Sequence, residues 1–218
     1  MVSELDTYWP LFPYYPLLAG QIEQETCSTL TSKKCWNPKA ELKTSREYGF
    51  GLAQLTIAYD IQGNVRFNTF EEVKAQFSAL KDWQWDERYM VDMQIRSMIL
   101  KMKFNFDSVS AADEMNQLKF AQLAYNGGLG SVWKDQNLCK RTENCDPGIW
   151  KGHLEKVSTK SRTPFGGVYG AQSPFSITRD YVNNIPKRAV KYENFISKIV
   201  AEKTCKEEPK TQFYFLKN

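Results

Sequence analysis

Residues 44–56 read "TSREYGFGLAQLT". Two glycines, Gly49 and Gly51, each follow an aromatic residue, Tyr48 and Phe50, and the run passes at once into an apolar segment. A Gly-x-Gly pair resembles the start of a phosphate-binding loop. The dinucleotide fingerprint, however, needs a third glycine and a preceding strand. Here the third glycine is missing and no β-rich run comes before the pair, so a nucleotide site is set aside. Glycine otherwise serves to admit positive φ or to let another group approach the backbone. The stretch therefore reads as a groove wall, with Tyr48 and Phe50 as contact surfaces, and the question is what the groove holds.

The chain around it has 218 residues, enough to bury a full core, and its 14% of aromatic residues are spread along the whole length, which predicts little disorder. The net charge of +4 is scattered, with no dense Lys/Arg block of the kind a nucleic-acid arm carries. Such a charge suits an anionic polymer. Residues 1–14 read as an N-terminal extension. The opening "MVSELDTYWPLFPYYPLLAG" lacks a basic n-region, and Pro10, Pro13 and Pro16 interrupt it, so it does not read as a signal peptide. No apolar run approaches the ~20 residues of a membrane span, so no transmembrane segment is expected.

Cys27 and Cys35 bracket one short polar loop, Cys139 and Cys145 another, and Cys205 is left over. Two small-loop disulfides with a free thiol and five reduced cysteines both remain open. With no C-x-x-C and His153 as the sole histidine, no metal site or cofactor is expected. His153 itself, in "IWKGHLEKV", reads as a surface or packing residue.

The periodicity is mostly helical. Helices are predicted at 16–27, opening at a proline, at 69–81 with Thr69 and Glu72 as a capping box, and at 86–104 as buried core. Two more follow at 111–125, stopped by "NGG", and at 176–203, kinked or divided at Pro186. Residues 157–175 form a loop of about 19 residues, longer than usual and so functional or mobile. Strand signals are few. The prediction is a mainly α, single-domain protein with its body at 15–203 and a tail at 204–218, whose aromatic end could dock back on the body.

Three segments carry candidate chemistry. In "LLAGQIEQETC", Leu18, Ile22 and Glu25 share a helix face, while Glu23 points elsewhere. A carboxyl in that setting would be desolvated and its pKa raised, as a neutral-pH general acid requires. In "LKFAQLAYNGGLG", small residues allow close packing and the helix end could present Tyr125 and Asn126 into a cleft.

Taken in order, "QET", "SREYGFGLAQ", "LAYNGG" and "RDYVNNI" resemble the motifs of the lytic transglycosylase and goose-type lysozyme superfamily, over roughly residues 15–200. The resemblance implies a lysozyme-like fold with a substrate groove and makes Glu25 the catalytic acid/base. Ser45, Gly51, Leu52 and Gln54 fall in register with the family's Ser-x-x-Gly-x-x-Gly-Leu-Met-Gln. Tyr125 and Asn126 match its Ala-Tyr-Asn motif, and Tyr181 its later tyrosine. Tyr48 replaces the first family glycine, and the Cys27–Cys35 insert lengthens the path from Glu25 to Ser45.

In goose-type lysozymes, aspartates lie nine residues before and two after the motif glutamine; here Ser45 and Thr56 stand there. Hydrolysis with inversion or retention uses two carboxylates, for which Glu41, Glu47 and Asp60 are the nearby substitutes. A lytic transglycosylase needs one, because the substrate's N-acetyl group is the nucleophile. The resemblance therefore implies cleavage of peptidoglycan glycan strands with 1,6-anhydro-muramyl products. Ser45 and Asn126 would orient the N-acetyl group, Tyr125 would align it, and Gln54 would line the cleft. A hydrolytic muramidase and a catalytically silent wall-binding or virion protein are the rivals. The expected setting is a phage endolysin, moving from host cytoplasm to periplasm and wall, or a virion lysin with virion partners.

Overall fold

Pro16 opens the helix around which the rest is built. The computed structural model describes residues 1–27, 35–166 and 170–207, with side chains up to 203. Helix α1 spans Val2–Tyr8 and α2 spans Tyr15–Thr26. Every α2 residue from Pro16 to Glu23 is buried, so this helix is enclosed on all sides. Against it lies α7, Pro174–Ala189, and at Gly20 the two helices meet backbone to backbone. A Cβ on Gly20 would stand 2.5 Å from the Ile185 carbonyl oxygen and 2.9 Å from the Ala189 nitrogen.

Residues 1–14, set apart as an extension by sequence, contribute Leu5, Trp9 and Phe12 to the core. The Trp9 ring meets Phe106 edge-on at 5.2 Å, and Glu4 pairs with Arg96 at 3.0 Å.

Strands β1 (Glu41–Lys43), β2 (Glu47–Phe50), β3 (Leu55–Tyr59) and β4 (Val65–Asn68) form an antiparallel sheet in the order β1-β2-β3-β4. The stretch 44–56 is thus mostly strand, with Tyr48 opposite Ile57 and Phe50 opposite Leu55. Sequence reading passed over this sheet because its strands are short and one carries a glycine, and strand propensity depends heavily on context. Phe50 is fully buried and packs on Phe70 and Trp85, so it is core and not the contact surface expected of it.

The helical expectations hold with shifted ends. Helix α3 is Thr69–Gln76, capped by the Asn68 side chain accepting from the Glu71 backbone N–H (3.3 Å) and not by a Thr69/Glu72 box. Helix α4 is Val91–Asp107, preceded by a short 3₁₀ turn at Trp85–Glu87, and α5 is Glu114–Gly127, ended by Gly128 at φ +85°. Helix α6, Leu129–Cys139, was missed because "GGLGS" reads as loop. Pro186 sits inside α7 without dividing it; the break falls at the 3₁₀ turn Val190–Tyr192, before α8 (Glu193–Glu207). A proline removes one donor, and the packing of α7 along α2 carries the helix past that gap.

The long loop is tied at its start. Buried Asp135 accepts from Ser158 Oγ (2.9 Å), the Thr159 backbone N–H (2.7 Å) and Arg179 Nη2 (2.8 Å). Cys27–Cys35 and Cys139–Cys145 are disulfides. The Cys205 side chain, the aromatic tail and residues 167–169 of the loop lie outside the described residues. Among the described residues, no helix is long and apolar enough to cross a membrane.

The Gly20 contact yields an expectation. Alanine gains up to about 1 kcal/mol of helix propensity over glycine, but overpacking typically costs 1–3 kcal/mol. Gly20→Ala should lose about 1–2 kcal/mol net in urea denaturation. A stabilised variant would contradict the close approach of α2 and α7.

Candidate active site

The last turn of α2 carries two glutamates with opposite surroundings. Glu23, which the sequence placed on the other face from the core, is buried. It pairs with Arg188 Nη1 at 3.0 Å and Lys191 Nζ at 2.6 Å, and it accepts the Tyr192 hydroxyl. Burial alone would raise its pKa, but hydrogen bonds from Lys191, Tyr192 and Arg188 outweigh that and hold it below the ordinary value.

Glu25 is half-buried and its carboxyl accepts the Tyr181 hydroxyl at 2.5 Å. Desolvation dominates here. Tyr181 and the charge of Lys101 pull the other way, and the balance pushes the carboxyl from 4.5 up to about 7. Glu25 is therefore about half protonated at neutral pH.

Four helices and one turn build this site. Helix α7 supplies Tyr181. The end of α5 supplies Tyr125, buried, whose hydroxyl donates to the Ala53 carbonyl at 2.7 Å. Helix α4 supplies Lys101, whose Nζ lies 4.7 Å from the centre of the Tyr125 ring. Burial first, and the Glu25 charge second, raise the pKa of both phenols well above 10, so they remain neutral hydrogen-bonding groups.

The glycine motif shapes the turn that presents Ala53. Gly51 has φ +74°, and a Cβ on it would meet the Gln94 amide at 2.6 Å. Buried Gln94 accepts from the Leu52 backbone N–H at 2.7 Å and donates to the carbonyls of Pro38 (2.9 Å) and Arg88 (2.8 Å). Gln54, at φ +43°, spends its amide on Gly51 O at 2.8 Å and Ala40 O at 3.3 Å. At Gly49, a Cβ would come within 2.9 Å of Gln54 Oε1. The space at both glycines is thus filled by the protein's own glutamines, where the groove-wall reading expected it to face the contents of a groove. Leu52 is a core residue, and Gln54 closes the turn.

The structure brings Glu25, Tyr125, Tyr181 and the 51–54 turn together. It does not bring Ser45 to them. Ser45 is exposed in the β1–β2 turn, at the end of β2 opposite Gly51, with the four-residue strand, roughly 13 Å of extended chain, between them. Tyr48 stacks on Phe50 at 5.8 Å and donates to Glu41 at 2.5 Å. Asn126 is exposed just past Tyr125, beside Gly127, whose carbonyl accepts from Lys160 Nζ at 3.2 Å. Among the proposed substitute bases, Glu41 also accepts from Tyr89, and Asp60 is engaged by the Gln62 and Asn64 backbone N–H groups. His153 accepts from the Asp146 backbone N–H at 2.9 Å, a structural role. Glu23 lies within 4.8 Å of the Cys27 and Cys35 sulfurs, but those are bonded to each other and the carboxylate is held by two cations, so this donor set does not suit a metal.

Sequence reading missed Lys101. A signal for it existed: Gln94, Ser97, Lys101 and Asn105 recur at helical spacing on one face of α4, and Gln94, Ser97 and Asn105 are buried. No family model, no characterised protein and no solved structure matches the chain.

Between pH 4.5 and about 7 the folded chain keeps a proton on Glu25 that the unfolded chain releases, so stability falls as pH rises through that window. Glu25→Gln removes this loss and should be the more stable protein above pH 7, by on the order of 3 kcal/mol, with no advantage at pH 4. In a carboxyl-carbon NMR titration, Glu25 should turn over near 7 and move further up in Tyr181→Phe, which removes the hydrogen bond that lowers it. A midpoint near 4.5 would contradict the desolvated site.

Proposed function

We propose that the chain is a peptidoglycan lytic transglycosylase with a lysozyme-like fold, cleaving the β-1,4 bond between N-acetylmuramic acid and N-acetylglucosamine. The observation that carries this reading is Glu25: of the two carboxyls in the last turn of α2, the one pushed up to about 7 and held by Tyr181. A group poised there can give a proton and take one back near neutral pH.

In the proposed reaction, Glu25 protonates the glycosidic oxygen as the bond to the anomeric carbon breaks. The muramyl N-acetyl oxygen bonds to that carbon, giving an oxazolinium ion. Glu25, now ionised, removes the proton of the muramyl C6 hydroxyl. The C6 oxygen displaces the N-acetyl oxygen and closes a 1,6-anhydro ring, which returns the proton to Glu25 and regenerates the enzyme. Tyr181 stabilises the carboxylate between the two steps. Tyr125 fixes the wall of the site through Ala53, and Asn126, exposed at its rim, is available to the N-acetyl group.

Two features favour this single-carboxyl route over a hydrolytic one. The charge that acts on Glu25 is that of Lys101, not of a second carboxylate, and two of the three substitute carboxylates, Glu41 and Asp60, are engaged elsewhere. The cellular role that suits such an enzyme is phage-type lysis or wall penetration, reached from the host cytoplasm or carried in the virion.

Digestion of purified peptidoglycan tests the assignment. Glu25→Gln should release soluble fragments about 10²–10⁴-fold more slowly than the parent, the usual contribution of a general acid. Equal release by the two proteins would remove Glu25 from the chemistry.

A further inference from the structure

Lys101 has a role left to fill. Its ammonium carries three donors, yet it makes no hydrogen bond or ion pair to another described residue, and its one recorded contact is with the Tyr125 ring. It is half-buried on α4, one turn beyond buried Ser97, and held over a ring that cannot swing away, because the Tyr125 hydroxyl is anchored on Ala53. Glu25 and exposed Glu72 act on it only through their charge. A cation over an aromatic face is partly compensated, and its donors, which keep some access to solvent, meet no protein acceptor. Such a group is well placed to meet an acceptor that arrives with a ligand beside Glu25.

Resting on the wall-degrading reading above, we propose that Lys101 is the specificity-determining residue that donates to an oxygen of the lactyl substituent on the muramyl sugar seated at Glu25. The two sugars of the wall differ in this substituent. Muramic acid carries a lactyl ether on O3, ending either in a free carboxylate or in the amide that begins a peptide stem. N-acetylglucosamine has only a neutral hydroxyl there. Both lactyl forms offer an oxygen acceptor to an ammonium, and a hydrogen bond to a charged group is worth about 10- to 100-fold in discrimination.

The test compares the parent, Lys101→Met and Lys101→Arg on three substrates: stem-bearing glycan strands, strands stripped of their stems by an amidase, and an N-acetylglucosamine hexamer. The readouts are kcat/KM and, in a Glu25→Gln background, binding; thermal melts establish that each variant folds. Lys101→Met should lose about 10- to 100-fold on both muramyl substrates and change little toward the hexamer, with Lys101→Arg retaining part of the preference. A larger, salt-sensitive loss on the stripped strands identifies the free carboxylate as the acceptor, and equal losses identify the acyl oxygen common to both. Equal losses on all three substrates, or none, overturn the inference while leaving the wall-degrading reading intact. A parent protein that neither cleaves nor binds muramyl strands overturns that reading, and this inference with it.

Discussion

The contact of α2 and α7 at Gly20 is the constraint from which the site follows. Two helices that meet without a side chain between them have little freedom to slide, and the residues further along each are thereby set against one another. One turn beyond Gly20, α2 bears Glu23 and Glu25; α7 bears Tyr181, which meets Glu25, and Arg188, which meets Glu23 at 3.0 Å and Gln24 at 2.8 Å. Tyr181 and Arg188 are seven residues apart, two helical turns, and so lie on the same face. The last turn of α2 is therefore held on both sides of the reactive carboxyl by one neighbouring helix. The Cys27–Cys35 disulfide begins directly after it, and the backbone N–H of Trp36 returns to Thr26 Oγ1 at 3.0 Å.

Electrostatics within that turn separates the two glutamates. Glu23 is buried but saturated with donors, so it stays ionised and ties the helices together. Breaking a buried pair of this kind is strongly destabilising, because the surviving charge is left uncompensated. Glu25 is given one neutral donor and a more distant cation, and burial prevails. The same environment that makes it a usable acid at neutral pH makes the folded state less stable there, the usual cost of a reactive site.

Much of this was legible in the chain, and the parts that were not have physical reasons. The ends of α2 and α5 and the candidates Glu25, Tyr125 and Tyr181 were readable because helical spacing and ordered short motifs are local signals. The sheet was missed because its strands are too short to show alternation, and the N-terminal segment because its helix has only seven residues and is followed by a proline-rich stretch that reads as loop. The Gly-x-Gly pair was misread in kind: its glycines leave room for Gln94 and Gln54, and only tertiary structure places Gln94 there. Ser45 matched by register along the sequence, but β2 carries it to the far end of a strand. Lys101 was hidden in a helix read wholly as core, although its polar stripe recurs at helical spacing.

The central claim is that one desolvated carboxyl does both proton transfers and that the substrate supplies the nucleophile. The most direct measurement is the mass of the muramyl ends released from purified peptidoglycan. The account predicts ends one water lighter than a hydrolysed product, the signature of the 1,6-anhydro ring. Hydrated ends would contradict it, and would require a second, water-activating base that the surroundings of Glu25 described above do not include.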